Sequence, residues 1–242
     1  MAAYDLSIWP DGVQLARAAA EHFVACAKAA IAQRGIAYVC LAGGSTPKAM
    51  NALLAQAPLR AALDWSKLRF FFGDERCVPY DHADSNFRMT RESLFDPLAI
   101  AAEYVFRIRG EDEPHAAARA YEQTLRRELG AEWIFDLVFL GMGPDGHTAS
   151  LFPGTLGTLD LTRACVANFV PKFDAFRITL TPRVINAARD VAITAGGAEK
   201  AEALRAVLGV TREPDVHPVE LVAPLAGKLH WFVDTAAASL LP

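Results

Sequence analysis

The sequence contains little cysteine and no excess of positive charge. Its four cysteines lie far apart, without a CxxC pair or the spacing of zinc ligands, a pattern typical of reduced thiols in a cytosolic protein. The formal net charge of the 242 residues is −4, whereas binding to nucleic acid or to an anionic membrane usually requires a basic patch. We therefore expect a cytoplasmic protein with no nucleic-acid or membrane partner, whose cysteines fill apolar space.

Long apolar runs are also missing. The alanine-rich segment 12–34 is interrupted by four charged residues, Arg17, Glu21, Lys28 and Arg34. No charge-free run therefore reaches the roughly 18 residues that cross a bilayer, and no basic region precedes an apolar block as in a secretory signal. No low-complexity linker or repeat divides the chain, and its 52% hydrophobic content suffices for a large core. The sequence predicts one folded domain over residues 1–242.

Strand and helix patterns alternate along the chain. Short apolar runs bounded by glycine or polar residues predict strands at 36–42, 68–75, 135–141, 176–182, 190–197 and 228–234. Helical spacing predicts helices at 15–31, after residue 45, and at 84–95, 114–129 and 198–209. This alternation predicts an α/β fold: a doubly wound, mainly parallel, Rossmann-like sheet with helices on both faces.

Three glycine-rich segments, 43–46, 141–146 and 196–197, follow predicted strands. Ligands of open parallel sheets bind beyond the carboxyl ends of the strands, so we expect these segments to meet at one cleft. In the first of them Gly43 and Gly44 would let the backbone approach a ligand, and the N–H groups of Ser45 and Thr46 would attract a phosphate. The alternative is a tight turn without a ligand, in which Ser45 or Thr46 caps the helix and Pro47 takes its first position.

Charged residues near these segments are candidate ligands for an anion. Lys200 is predicted in the opening turn of a helix, where the helix dipole disfavours a cation unless an anion is bound there; the alternative is an exposed surface lysine. Asp74 and Arg76 lie at a predicted strand end, where Arg76 offers a planar fork for phosphate or carboxylate and Asp74 could orient a hydroxyl group. An internal pair of Arg76 with Asp74 or with Glu75 is the competing interpretation. Arg177, on the strand 176–182, is a further candidate anion ligand.

The stretch GMGPDGHT at 141–148 contains the glycine spacing GxGxxG. A dinucleotide fingerprint requires that turn to run directly into a helix, but Pro144 interrupts it and His147 follows. Histidine titrates near neutral pH, and Asp145 could set its tautomer. We interpret the stretch as an acid–base loop with His147 as the catalytic residue, against the alternative of a structural histidine.

Together, these segments resemble the 6-phosphogluconolactonase family. The resemblance extends over about residues 38–234 in five blocks: LAGGSTP, GDERCVPYDHADSNF, FDLVFLGMGPDGHTASLFPG, RITLTPRVINAARDVAITAGGAEKAEAL and GKLHWFVD. It implies hydrolysis of 6-phospho-D-glucono-1,5-lactone to 6-phosphogluconate, in the oxidative pentose phosphate pathway, without a metal or organic cofactor.

Matching positions assign roles to individual residues. The resemblance implies that His147 is the general base, that Asp145 supports it, and that Arg76 assists catalysis or binding. The substrate and its phosphate would be bound by a set that matches the family's blocks: Gly43, Gly44, Ser45, Thr46, Asp74, Arg76, Arg177 and Lys200. We expect a monomer or a weak homo-oligomer whose partner is a phosphorylated sugar lactone.

Two alternative functions remain. Glucosamine-6-phosphate deaminases carry a similar GST loop and DGH turn, but an IAFNEP-like segment with a glutamate follows the turn, where this chain has TASLFP. A sugar-phosphate sensor without catalytic activity would keep the phosphate-binding segments but would need a partner or a DNA-binding module. The segment 154–161 has no clear match in the family pattern, so its role at the rim of the site stays open.

Overall fold

A computed structural model describes residues 4–160 and 162–242. Nine strands are present: β1 Asp5–Trp9, β2 Ala37–Leu41, β3 Leu68–Phe72, β4 Asp74–Arg76, β5 Leu137–Gly141, β6 Cys165–Val170, β7 Ala175–Leu180, β8 Asp190–Ala195 and β9 Lys228–Asp234. Seven α-helices accompany them: α1 Gly12–Arg34, α2 Ser45–Leu54, α3 Asn86–Thr90, α4 Asp96–Leu98, α5 Pro114–Leu129, α6 Pro182–Ala187 and α7 Ala201–Val207.

The main sheet contains six parallel strands in the order β1-β9-β8-β5-β2-β3. The chain runs in one direction across this sheet from β1 to β3, and in the other from β5 to β9. Right-handed crossovers therefore place helices on both faces. The predicted single-domain α/β fold with a mainly parallel sheet is confirmed. Residues 1–3 and 161 of the predicted range 1–242 lie outside the described part.

A second, antiparallel sheet in the order β4-β7-β6 was not predicted. The run expected as one strand at 68–75 divides at Gly73, whose N–H still donates to Leu41 O in the main sheet while its carbonyl accepts from Leu180 N–H. From Gly73 onward the chain pairs with β7, so the strand expected at 176–182 belongs to the second sheet. Strands β1 and β6 were also missed, because neither has a long apolar run.

Helix ends agree only in part with the predicted caps. In α1, the side chain of Asp11 accepts from Gln14 N–H, and Gly35 ends the helix with φ 78°, as predicted for that glycine. The cap predicted at Ser45 or Thr46 is wrong, because Gly44, with φ 110° and no side chain, occupies the cap position of α2 and Pro47 is its third residue. Neither hydroxyl group is therefore used to cap the helix.

The point where the two winding directions meet lies between neighbouring strands β2 and β5. In open α/β sheets this switch point leaves a crevice at the carboxyl ends of the strands, because the two outgoing connections diverge. Aromatic and aliphatic side chains fill the space beneath it in one continuous core. Among the described helices, none combines the length and the apolar character needed to cross a membrane.

Truncation of Phe139 tests the importance of this core. Phe139 lies on β5 at 1% exposure, and its ring stacks on that of Phe23 from α1 at 6.3 Å. Phe139→Ala removes the ring and leaves a cavity, so we expect the free energy of unfolding to fall by about 3–5 kcal/mol in denaturant titrations. Phe169→Ala is the matched control, because Phe169 is 43% exposed; an equal loss in the two variants would contradict the assignment of the core.

Candidate active site

A cavity of about 230 Å³ opens at the carboxyl ends of β2, β5 and β8. It is lined by most of the residues singled out from the sequence: Gly43, Gly44, Ser45, Thr46, Asp74, Arg76, His147 and Lys200. Asp145 and Arg177 do not line it. The three glycine-rich segments thus meet at one cleft, as parallel strand ends do at a switch point.

The first wall of the cavity is the start of α2. A Cβ atom on Gly43 would lie 1.9 Å from Asn86 Oδ1, so only glycine allows the β2–α2 turn to pack against that buried side chain. Ser45 is exposed and Thr46 half-buried, and both lie in the first helical turn, where N–H groups have no partner within the helix. This end of α2 presents backbone donors, hydroxyl groups and the positive end of the helix dipole to the cavity.

The second wall follows β8. Gly197, with φ 99°, donates its N–H to both carboxylate oxygens of Asp234 at 3.0 Å, which fixes the turn. Lys200 ends a 3-10 turn, Ala198–Lys200, directly before α7 rather than inside the helix. Among the described residues, no carboxylate forms an ion pair with Lys200. Its ammonium group is therefore available to an anion in the cavity.

Asp74 is held in place by two neutral side chains. Its carboxylate accepts from Ser150 Oγ at 2.6 Å and from Asn86 Nδ2 at 3.2 Å, and 8% of the residue is exposed, toward the cavity. The side chain of Arg76 also lines the cavity and donates to the carbonyl of Asp84. In the described chain Arg76 forms no ion pair with Asp74 or with Glu75, so the internal-pair interpretation is wrong.

Glu75 has a structural role between these two residues. Its carboxylate is 2% exposed and accepts from the N–H groups of Asn86 and Phe87 and from the Ser85 hydroxyl, at the start of α3. Burial raises the pKa of Glu75, and the backbone donors act against that shift. The carboxylate thus binds the β4 strand to α3 and positions Asn86 beneath Gly43.

Arg177 lies outside the cavity wall. It is directly opposite Arg76 in the β4–β7 register, and its guanidinium carbon lies 5.2 Å from the ring centre of Phe173. Burial lowers the pKa of Arg177, and the charge of Arg76 lowers it further. Two guanidinium groups side by side, with no carboxylate paired to Arg177 among the described residues, create a positive edge beside the cavity.

The glycines of GMGPDGHT allow the tight turn that holds His147. A Cβ atom on Gly143 would lie 2.0 Å from His147 Nδ1, so the imidazole packs directly against the glycine backbone. Gly146 has φ 74°, a conformation that favours glycine. Gly143 N–H donates to His147 O and Gly146 N–H donates to Gly143 O, which closes the turn. No helix follows within the turn, so the GxGxxG spacing shapes the turn that holds His147 and not a dinucleotide fingerprint.

His147 is oriented by a carboxylate and an aromatic ring. Asp145 Oδ1 lies 2.5 Å from His147 Nδ1, and because an ionised carboxylate only accepts, this contact places a proton on Nδ1. The hydrogen bond from His147, followed by one from Lys172, holds the pKa of the Asp145 carboxyl well below its usual range. The imidazole also stacks on Phe152, with 4.1 Å between ring centres.

Several residues of this arrangement were missed from the sequence. Lys172 Nζ donates to Asp145 Oδ2 at 2.9 Å and completes a Lys–Asp–His chain. Asn86 and Ser150 hold Asp74, and Glu199 lines the cavity beside Lys200. Asn86, Ser150 and Glu199 lay within blocks already quoted as motifs, whereas Lys172 gives no local signal because it meets Asp145 only through the fold.

The arrangement combines proton transfer with anion binding. The imidazole of His147 lines a cavity whose other walls carry free N–H groups, hydroxyl groups and the cations of Arg76 and Lys200. Such a site can activate water against an electrophilic carbon and stabilise negative charge on the substrate at the same time.

The chain is similar to known proteins over nearly its whole length. Residues 10–231 match the family described as Glucosamine-6-phosphate isomerases/6-phosphogluconolactonase. The 6-phosphogluconolactonase of Treponema pallidum is 40% identical over 79% of this chain and 80% of its own. That of Haemophilus influenzae is 36% identical over 84% of this chain and 87% of its own.

A solved structure gives the same result in three dimensions. The 6-phosphogluconolactonase from Trypanosoma cruzi superposes with a TM-score of 0.89 and 30% identity, covering 100% of this chain and 98% of the other. Sequence similarity, fold and the meeting of the glycine-rich segments at one cavity all agree. The chain belongs to the glucosamine-6-phosphate isomerase/6-phosphogluconolactonase family.

Proposed function

We propose that this protein hydrolyses 6-phospho-D-glucono-1,5-lactone to 6-phosphogluconate, the lactonase step of the oxidative pentose phosphate pathway. The observation that carries the proposal is the histidine held by Asp145 at the edge of a cavity whose opposite walls present hydrogen-bond donors and cations. The names of the relatives support the same substrate, because curated relatives that are 40% and 36% identical to this chain are 6-phosphogluconolactonases. The cytoplasmic location and the monomeric or weakly associated state stay predictions.

The anionic parts of the substrate bind to the cavity walls. The start of α2, with Ser45 and Thr46, and the ammonium of Lys200 together favour a phosphate. Arg76 adds a cation, and Arg177 strengthens the positive potential from behind it. Binding of the distant phosphate positions the lactone carbonyl close to His147. The reacting groups are then already oriented, which lowers the entropic part of the activation barrier.

Proton transfer is carried out by His147. Its Nε2 removes a proton from water as the water oxygen bonds to C1, and the resulting imidazolium is stabilised by ionised Asp145. When the C1–ring oxygen bond breaks, the same nitrogen returns the proton to the ring oxygen. Backbone N–H groups of the glycine turns, or the guanidinium of Arg76, stabilise the oxyanion between the two steps.

Replacement of His147 tests the general base. His147→Asn removes the basic nitrogen, so we expect kcat to fall at least ~10²-fold, the range of general acid–base catalysis. The measurement is a coupled assay with freshly generated lactone, from which the spontaneous hydrolysis without enzyme is subtracted. His115→Asn, an exposed histidine on α5, is the matched control and should keep its activity; near-normal turnover of His147→Asn would remove the proposed role.

Gly143→Ala tests the close approach of the imidazole to the turn. The added methyl group would overlap His147 Nδ1, so the ring must move away from Asp145 and kcat should fall by about as much as in His147→Asn. The dissociation constant of 6-phosphogluconate should stay within about threefold, because the anion-binding walls are untouched. Gly12→Ala is the matched control, since a Cβ atom there meets nothing within 4 Å; full activity of Gly143→Ala would contradict the proposed geometry.

Lys200→Ala tests the phosphate-binding wall. An ion pair to phosphate is present in both the ground state and the transition state, so its loss should raise KM about tenfold or more while kcat changes little. Steady-state kinetics of the lactone, with the exposed Lys28→Ala as control, measures the change. An unaltered KM would place the phosphate away from Lys200.

The deaminase alternative is tested with the same protein. A deaminase requires a carboxylate near C2 of the sugar, and Asp74 is a cavity carboxylate available for that role. Its oxygens are bound by Ser150 and Asn86, which suits the positioning of a hydroxyl group. We expect no release of ammonia from glucosamine 6-phosphate under conditions in which the lactone is hydrolysed.

A further inference from the structure

A second group of chemically active side chains lies at the amino ends of the strands in the main sheet, on the side away from the cavity. His22 on α1, Asp190 at the start of β8 and His230 on β9 each offer a ligand atom, and these atoms all lie within 4.8 Å of one another. Asp190 is the first residue of β8, whereas the cavity is reached beyond the last residues of that strand. The sequence spacing predicted no metal ligands, because these residues come from three distant segments.

We propose that His22, Asp190 and His230, with Cys26 as a fourth ligand, bind a divalent transition-metal ion, with Zn²⁺ as the best match. His22 and Cys26 are four residues apart on α1, so they project from the same face of the helix toward Asp190. Two imidazoles, one carboxylate and one thiolate form the mixed N, O and S donor set typical of tetrahedral zinc.

Two of the distances within the group match that geometry, and two side chains must shift to reach it. Tetrahedral zinc separates nitrogen and oxygen ligands by roughly 3.3 Å and nitrogen and sulfur by roughly 3.5 Å, given its usual bond lengths. His230 Nε2 lies 3.3 Å from Asp190 Oδ2, and Cys26 Sγ lies 3.5 Å from His22 Nε2. His22 Nε2 lies closer to Asp190 Oδ1, at 2.8 Å, and needs a small outward movement to admit an ion. Cys26 Sγ is not among the atoms that lie within 4.8 Å of one another, so its side chain must turn toward His230 to become the fourth ligand.

Hydrogen bonds within the group do not satisfy all of its buried nitrogen atoms. His230 Nε2 is a buried atom without a hydrogen-bond partner of acceptable geometry in the described chain, although it faces Asp190. Its other nitrogen, Nδ1, lies 3.4 Å from Asp5 Oδ2. A carboxylate behind one ring nitrogen and a metal on the other is the usual arrangement of a metal-bound histidine.

Charge balance also favours the ion. Asp190 carries one negative charge, and Cys26 supplies a second when its proton leaves to solvent as the metal–sulfur bond forms. Two anionic ligands neutralise a divalent ion, which reduces the cost of placing charge at a site where the side chains of His22, Asp190 and His230 are only 12–18% exposed. The ion would join α1 to β8 and β9 and would stabilise the fold without entering the reaction.

The experiment titrates the full-length protein, freed of metal by a chelator, with Zn²⁺ by calorimetry and with Co²⁺ by absorption spectroscopy. We expect one ion per chain and a thiolate-to-cobalt charge-transfer band. At about 100 times the dissociation constant, Zn²⁺ should raise the midpoint of thermal unfolding by ~5–10 °C, and EDTA should reverse the rise. Absence of stoichiometric binding would overturn the proposal.

Variants identify the ligands. His230→Gln should weaken Zn²⁺ binding at least ~100-fold, with circular dichroism to verify that it is folded. Cys26→Ser, the milder change, should still bind Co²⁺ but lose the charge-transfer band, and it should retain lactonase activity. His147→Asn is the matched control and should bind Zn²⁺ like the wild type; loss of binding in that variant, or unchanged binding in folded His230→Gln, would place the ion elsewhere and reject the site.

Discussion

Parallel pairing of β5 between β2 and β8 is the constraint on which the site depends. Neighbouring parallel strands end on the same side of a sheet, so the turns that follow these three strands lie close together. Each turn contributes a different chemical component: helix N–H groups after β2, an imidazole after β5 and an ammonium group after β8. The winding direction reverses between β2 and β5, and this reversal opens the space in which those components face a common ligand.

Two glycines of these turns let side chains of the site pack directly against the backbone, which fixes their positions. Gly143 admits the imidazole of His147, and Gly43 admits the side chain of Asn86. Hydrogen bonds then hold side chains of the site in place: Asp145 orients the imidazole of His147, and Asn86 orients Asp74. Preorganised donors and acceptors of this kind lose little energy to reorientation during a reaction, which is a major source of catalytic power.

The second sheet extends the site beyond the parallel core. Strands β4 and β7 place Arg76 and Arg177 side by side, and the turn after β6 brings Lys172 to Asp145. At the other end of the main sheet, His22, Asp190 and His230 bind α1 to the strands, far along β8 from the turn at Gly197. Chemistry at the carboxyl edge and attachment of the helix at the amino edge therefore use separate groups of side chains.

The sequence alone determined the α/β class, most strands of the main sheet, the three glycine-rich turns and the candidate base His147, because apolar periodicity and turn residues are local signals. It did not determine that Gly44 rather than Ser45 or Thr46 caps α2, that the chain leaves the main sheet at Gly73, or that Arg177 lies behind the cavity wall. Nor did it bring Lys172 to Asp145 or assemble the group around Asp190. Those features arise from contacts between residues far apart in the chain, and the energy of such contacts exists only once the strands have paired and the helices have packed against them.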